Sequence, residues 1–205
     1  MLLFGFLFGL AFYCSRVTPR ELLLRWRGRI KPLWQGIGYS IAFRFIVGCL
    51  ITIAFTALIL AGVLAPYQIR DIATAQSSGF ERIVSASAMR SDPVYFWLSL
   101  TWISFILAGL CEELWRSAFL AAVKALWPRA FHSWLGKLGA VLVAAMIFGF
   151  GHTTQSPMAV LHACLMGICL GTIMLVHRSI WPAVIAHGCF DATSMLIIAL
   201  RHAST

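Results

Sequence analysis

Apolar residues in this chain fall into long runs broken by short polar or basic segments. A transmembrane helix needs about 20 apolar residues. The first run, 2–14, is shorter than that and reads as a short or tilted span. It has no basic leader and no small-residue cleavage site, so it is not read as a cleaved signal peptide. The second run covers 33–65. Its hydrophobic span is expected at 45–65, with Arg44 and the preceding turns at the interface. The stretch 66–93 is the most polar of the chain and reads as a loop, with room for an interfacial helix. Four further segments follow, at 94–126, 138–152, 158–176 and 180–200. Trp127-Pro128 and Trp181-Pro182 suit helix ends at a membrane surface. The pattern predicts an all-α fold: a polytopic transmembrane helical bundle with about six membrane segments, forming one integral-membrane domain over 1–205.

Composition strengthens this picture. Of the 205 residues, 60% are hydrophobic and 11% charged, where soluble domains carry about 25% charged residues. The net charge of +9 does not point to nucleic acid. Six basic residues crowd between Arg16 and Lys31, flanked by apolar runs, as in a cytoplasmic loop facing anionic headgroups. Lys124, Arg129, Lys137 and Arg178 fall on the same side if segments two to six all span. The positive-inside rule places that side in the cytoplasm, most simply of a bacterial inner membrane. The six cysteines lie in or beside apolar runs without a CxxC pair, and are expected to be small buried hydrophobes. Gly167 and Gly171, four apart, can bring their helix close to a neighbour.

Three of the seven acidic residues, Glu112, Glu113 and Asp191, sit inside apolar segments. An ionisable group at membrane depth costs about 2.5–3.5 kcal/mol on insertion scales, so each needs a partner or a task. One of them alone would suit a structural ion pair. Together they sit in a pattern with more content. Arg116 follows Glu112 at i+4 and Glu113 at i+3, within reach of either. It can neutralise one carboxylate, leaving the other, about 100° around the helix, free to exchange a proton as a general base. Phe148-Gly149-Phe150-Gly151-His152 sets a histidine after two glycines, where a backbone or substrate can approach. His187 and Asp191, at i and i+4, share a helix face. His162 has no acidic neighbour in its segment and reads as structural. His132, His177 and His202 lie near loops or the terminus and read as solvated.

Glu-Glu followed by Arg, then Phe-x-x-x-His, then His-x-x-x-Asp, each on its own apolar segment, resembles the CPBP family. This is the CAAX prenyl protease and bacteriocin-processing family, also called ABI or Rce1-like. The resemblance runs over about 107–194, the expected catalytic core helices. It implies a glutamic-type intramembrane endopeptidase acting on a membrane-associated peptide or protein. By that resemblance Glu112 and His152 activate a water, and His187 and Asp191 stabilise the oxyanion. Glu113 and Arg116 form the supporting pair, and Phe148 contacts substrate. The chain departs from the family pattern twice. Two residues rather than three separate Glu-Glu from Arg116, which leaves the base open between Glu112 and Glu113, with Glu112 favoured. Asp191 also stands where the family often has Asn. No cofactor is implied. A carboxylate with two imidazoles is also an acceptable zinc set, but no HExxH is present. A non-enzymatic immunity or binding protein and a proton-coupled carrier are the remaining alternatives, the carrier disfavoured by the lack of an inverted repeat.

Overall fold

The computed structural model describes residues 17–81 and 84–201, so the apolar run 2–14, Cys14 and His202 lie outside the described residues. Helices account for most of the described chain: α1 Lys31–Leu60, α2 Pro66–Glu81, α3 Ala86–Ser91, α4 Pro93–Leu126, α5 Pro128–His132, α6 Trp134–Phe150, α7 Pro157–His177 and α8 Trp181–Arg201. Four of these, α1, α4, α7 and α8, are long and apolar enough to cross a membrane. Apolar α6, at 17 residues, is shorter.

Local chemistry sets the helix ends. Asp92 accepts from the amides of Val94 and Tyr95 and starts α4, with Pro93 in the first turn. Ser133 and Ser156 cap α6 and α7 by accepting from Gly136 and Ala159. Arg178 takes a left-handed conformation (φ 49°) and ends α7. Within α4, residues Ser99–Glu112 are wound as a wider π-helix, and the Ser104 hydroxyl donates to the Ser99 carbonyl five residues back.

α8 lies at the centre, packed against α1, α4 and α7, while α6 pairs with α7. Leu114, Met166, Leu170, Met174, Ile180 and Val184 are among the buried residues of the shared core. The outward surface is as apolar as the inside: Phe45 is 74% exposed and Ile53 65%. Such a surface is stable in lipid and not in water. Cys49 and Cys169 are exposed too, and Cys111, Cys164 and Cys189 are half-buried. The expectation of buried thiols therefore fails for the first two, because hydrocarbon tails receive a thiol as readily as a protein core does.

Two helix contacts are made almost backbone to backbone. A Cβ on Gly109 of α4 would lie 2.9 Å from the Val184 carbonyl of α8. On α7, Cβ atoms at Gly167 and Gly171 would lie 3.0 Å from Ala145 and Val141 of α6. The Gly167/Gly171 pair thus forms the α6–α7 seam, as its spacing suggested. Gly167→Leu is expected to force α6 and α7 apart and cost about 1–3 kcal/mol. A lowered melting temperature in detergent would show this, and an unchanged one would mean that the seam repacks freely.

The described chain begins with a non-helical strap, residues 17–30. Its carbonyls face inward. Leu22 accepts from Ser117 (2.5 Å), Leu23 from the Ile180 amide (2.9 Å), Leu24 from the Trp181 indole (2.9 Å) and Arg25 from Ser179 (2.9 Å). Arg20, Arg25, Arg27 and Arg29 remain exposed, as does Arg178 on the turn beneath. Thr18 donates to Glu21 from its amide and hydroxyl, which holds the Glu21 carboxyl below its usual range.

Two expectations need correction. The candidate span is Lys31–Leu60 instead of 45–65, so Arg44 sits inside it. The reason is that Arg44 finds acceptors on α8 and need not reach headgroups: the Phe190 carbonyl at 2.8 Å and the Thr193 hydroxyl at 2.5 Å. His177 is also not simply solvated, since its Nε2 pairs with the Tyr39 hydroxyl at 2.7 Å.

Candidate active site

Glu112 and Glu113 stand where the π-wound part of α4 passes into regular α-helix. Consecutive residues point in different directions, and the two carboxylates have different fates. Glu113 faces the bundle and is fully buried. It forms an ion pair with Arg116, one turn on and also fully buried. Glu112 points to the side, with 37% of its side chain exposed. Arg116 therefore belongs to Glu113, and Glu112 has no guanidinium of its own among the described residues.

His187 lies six residues into α8, roughly 9 Å along its axis. Its Nδ1 is 2.9 Å from Glu113 Oε1. A carboxylate paired with Arg116 can only accept, so Nδ1 carries the proton. Nε2 on the other edge of the ring faces Glu112 Oε2 at 3.7 Å and Asp191 Oδ2 at 3.8 Å. Both gaps are too long for direct hydrogen bonds. An oxygen atom about 2.8 Å from both ends of such a gap would sit roughly 2 Å to the side of the line joining them, where a water can bridge the two groups.

His152 follows the end of α6. Its Nδ1 is 2.8 Å from the Phe148 carbonyl four residues earlier. A carbonyl also only accepts, so Nδ1 is the donor, and Nε2 of the neutral ring keeps its lone pair. Phe148 links this histidine to the rest. Its ring is 4.7 Å from the His152 ring, 6.2 Å from the His187 ring and 4.7 Å from the Arg116 guanidinium carbon. The aromatic face shields a guanidinium whose Nε and Nη2 have no hydrogen-bond partner among the described residues. Gly171 packs beside it, where a Cβ would be in ordinary contact with Arg116 Cδ at 3.5 Å.

The structure thus brings Glu112, Glu113, Arg116, His187 and Asp191 into one cluster, with His152 joined to it through Phe148. His187 comes early in α8 and His152 just past the end of α6. Phe148 lies between the two rings, 4.7 Å from that of His152 and 6.2 Å from that of His187. Among the described residues, no three His, Cys, Asp or Glu side chains group as a metal site.

Residues 94–193 match the family model described as type II CAAX prenyl endopeptidase Rce1-like. Over that segment the chain is Rce1-like. The matched part is just under half of the 205 residues and contains all of the cluster. No curated protein and no solved structure matches the chain. That match supports a CAAX-type peptidase of the membrane, with a peptide or protein as substrate. Its apolar helices make it an integral membrane protein.

Two residues near the cluster of the Rce1-like chain were not in the expected set. Arg44 of α1 reaches α8 beside Asp191. A lone cation in a long apolar run was the available signal, and placing it at the interface concealed it. His162 of α7 packs between Phe43 and Phe190, with ring centroids 5.6 and 5.2 Å away. That contact agrees with its expected structural part.

Proposed function

We propose that the chain hydrolyses a peptide bond of a membrane-tethered peptide with a water activated by Glu112 and His152, without a metal. The supporting observation is the set of bonds around the two imidazoles. Glu113, held by Arg116, accepts a hydrogen bond from Nδ1 of His187 and turns Nε2 toward the half-buried Glu112 and Asp191. The Phe148 carbonyl takes the Nδ1 proton of His152 and leaves its Nε2 as an acceptor.

In this mechanism Glu112, with Nε2 of His152 as a second acceptor, removes a proton from water as the oxygen attacks the scissile carbonyl carbon. The carbonyl π-electrons move to oxygen. His187, carrying both ring protons, donates Nε2–H to that oxyanion. Asp191, 3.8 Å from the same Nε2, stabilises the imidazolium. As the tetrahedral intermediate collapses, the C–N bond breaks and Glu112 returns its proton to the leaving amine. Glu113 and Arg116 position His187 and do not touch substrate. The basic strap is assigned to the cytoplasm, so the substrate's polar end arrives at the end of the bundle nearer His187.

Protein reconstituted in liposomes is expected to cleave a lipid-modified CAAX-type peptide equally well with and without a strong chelator. Metal analysis should then find zinc well below one per chain. Stoichiometric zinc, lost together with activity, would replace the Glu/His-activated water by a metal-bound one.

A further inference from the structure

We propose that Arg44 is a positioning residue of the site, fixing the turn of α8 that carries Asp191 and balancing its charge. This inference rests on the peptidase reading for its kinetic meaning and on the structure for its geometry. α1 lies outside the segment matched to the family, so nothing in that match assigns this residue.

Arg44 is thirteen residues into a 30-residue apolar helix, roughly 20 Å from its start. A cation at that depth is costly unless it is paired and hydrogen-bonded. All of its described partners lie on one turn of α8. Nη2 donates to the Phe190 carbonyl at 2.8 Å, the Thr193 hydroxyl at 2.5 Å and the Ser194 hydroxyl at 3.2 Å. Its guanidinium carbon stands 4.2 Å over the Phe190 ring. Asp191 is the next residue after the gripped carbonyl, and its carboxylate attracts Arg44. The contacts of Arg44 therefore bracket Asp191 on both sides in sequence.

A charge count explains the placement. The described cluster holds three carboxylates, Glu112, Glu113 and Asp191. Arg116 answers Glu113. If Arg44 answers Asp191, Glu112 alone lacks a guanidinium, and it is the group proposed as base. Without Arg44, two carboxylates would compete for the His187 proton at Nε2, from 3.7 and 3.8 Å. An Asn at position 191 would carry no charge and need no such partner. Arg44 is thus the counterpart of having Asp at this position.

A four-member cycle of wild type, Arg44→Met, Asp191→Asn and the double variant tests this, with cleavage in liposomes and melting in detergent as readouts. Arg44→Met is expected to lower kcat about tenfold or more with KM within about twofold. In the Asp191→Asn background the same change should cost less than about threefold, and its melting penalty should shrink likewise. Arg44→Lys should restore part of the loss. Equal losses in both backgrounds, or loss of folding in both, would reduce Arg44 to a clamp between α1 and α8 and overturn the proposal. So would unchanged turnover in Arg44→Met. If wild type itself cleaves nothing, the peptidase reading fails, and the melting cycle still decides on the coupling.

Discussion

Glu112→Gln is expected to lower peptide cleavage by about 10²–10⁴-fold while the protein stays folded. General acid–base catalysis by one side chain contributes about that much. Glutamine keeps the shape of the side chain but can neither take nor return the water proton. Stability should hold because Glu112 is partly exposed and makes no hydrogen bond within the core; its nearest charged neighbour, His187 Nε2, is 3.7 Å away. Glu113→Gln should behave differently. It loosens the tie to both Arg116 and His187, so activity and melting temperature should fall together. Proteoliposome cleavage and detergent melting curves separate the two patterns. If both variants cleave at the wild-type rate, neither carboxylate is the base.

The second large effect concerns stability. Arg116→Met leaves Glu113 charged, fully buried and without its cation. Breaking such a pair by removing one partner costs about 3–5 kcal/mol. The double variant Glu113→Gln/Arg116→Met removes both charges and should be destabilised by less than the sum of the single changes. Unfolding of the four proteins in detergent measures the coupling. Purely additive losses would mean that the pair contributes nothing specific and that packing against Phe148 and Gly171 suffices to hold the guanidinium.

Much of this was legible in the residues. The expected segments 94–126, 158–176 and 180–200 match α4, α7 and α8 to within one residue at each end. His187 and Asp191 share a face, as i and i+4 must on a helix. The choice of Arg116's partner was not legible, because i+3 and i+4 are equally within reach. It depends on which side of α4 turns inward, and that is set by the contact of Gly109 with the Val184 carbonyl, a long-range fact. The π-winding of Ser99–Glu112 has no counterpart in a pattern read at 3.6 residues per turn. Arg44 was misplaced for a related reason: a charged residue in an apolar run looks like a boundary until its acceptors, here on α8 some 146 residues away, are known. Against about six expected membrane segments, four described helices have spanning length, α6 is shorter, and run 2–14 lies outside the described residues.

The Gly109 contact has a mechanical corollary. With α4 and α8 touching through main chain, a change in lipid thickness tilts them as one body, and the Glu113–His187 tie travels with them. α6 is fastened to α7 instead, through Gly167 and Gly171. At 17 residues, or roughly 25 Å, it falls short of a hydrocarbon layer about 30 Å deep. Hydrophobic mismatch therefore acts first on the helix that delivers His152, so a thicker or thinner bilayer adjusts one arm of the cluster and leaves the other in place.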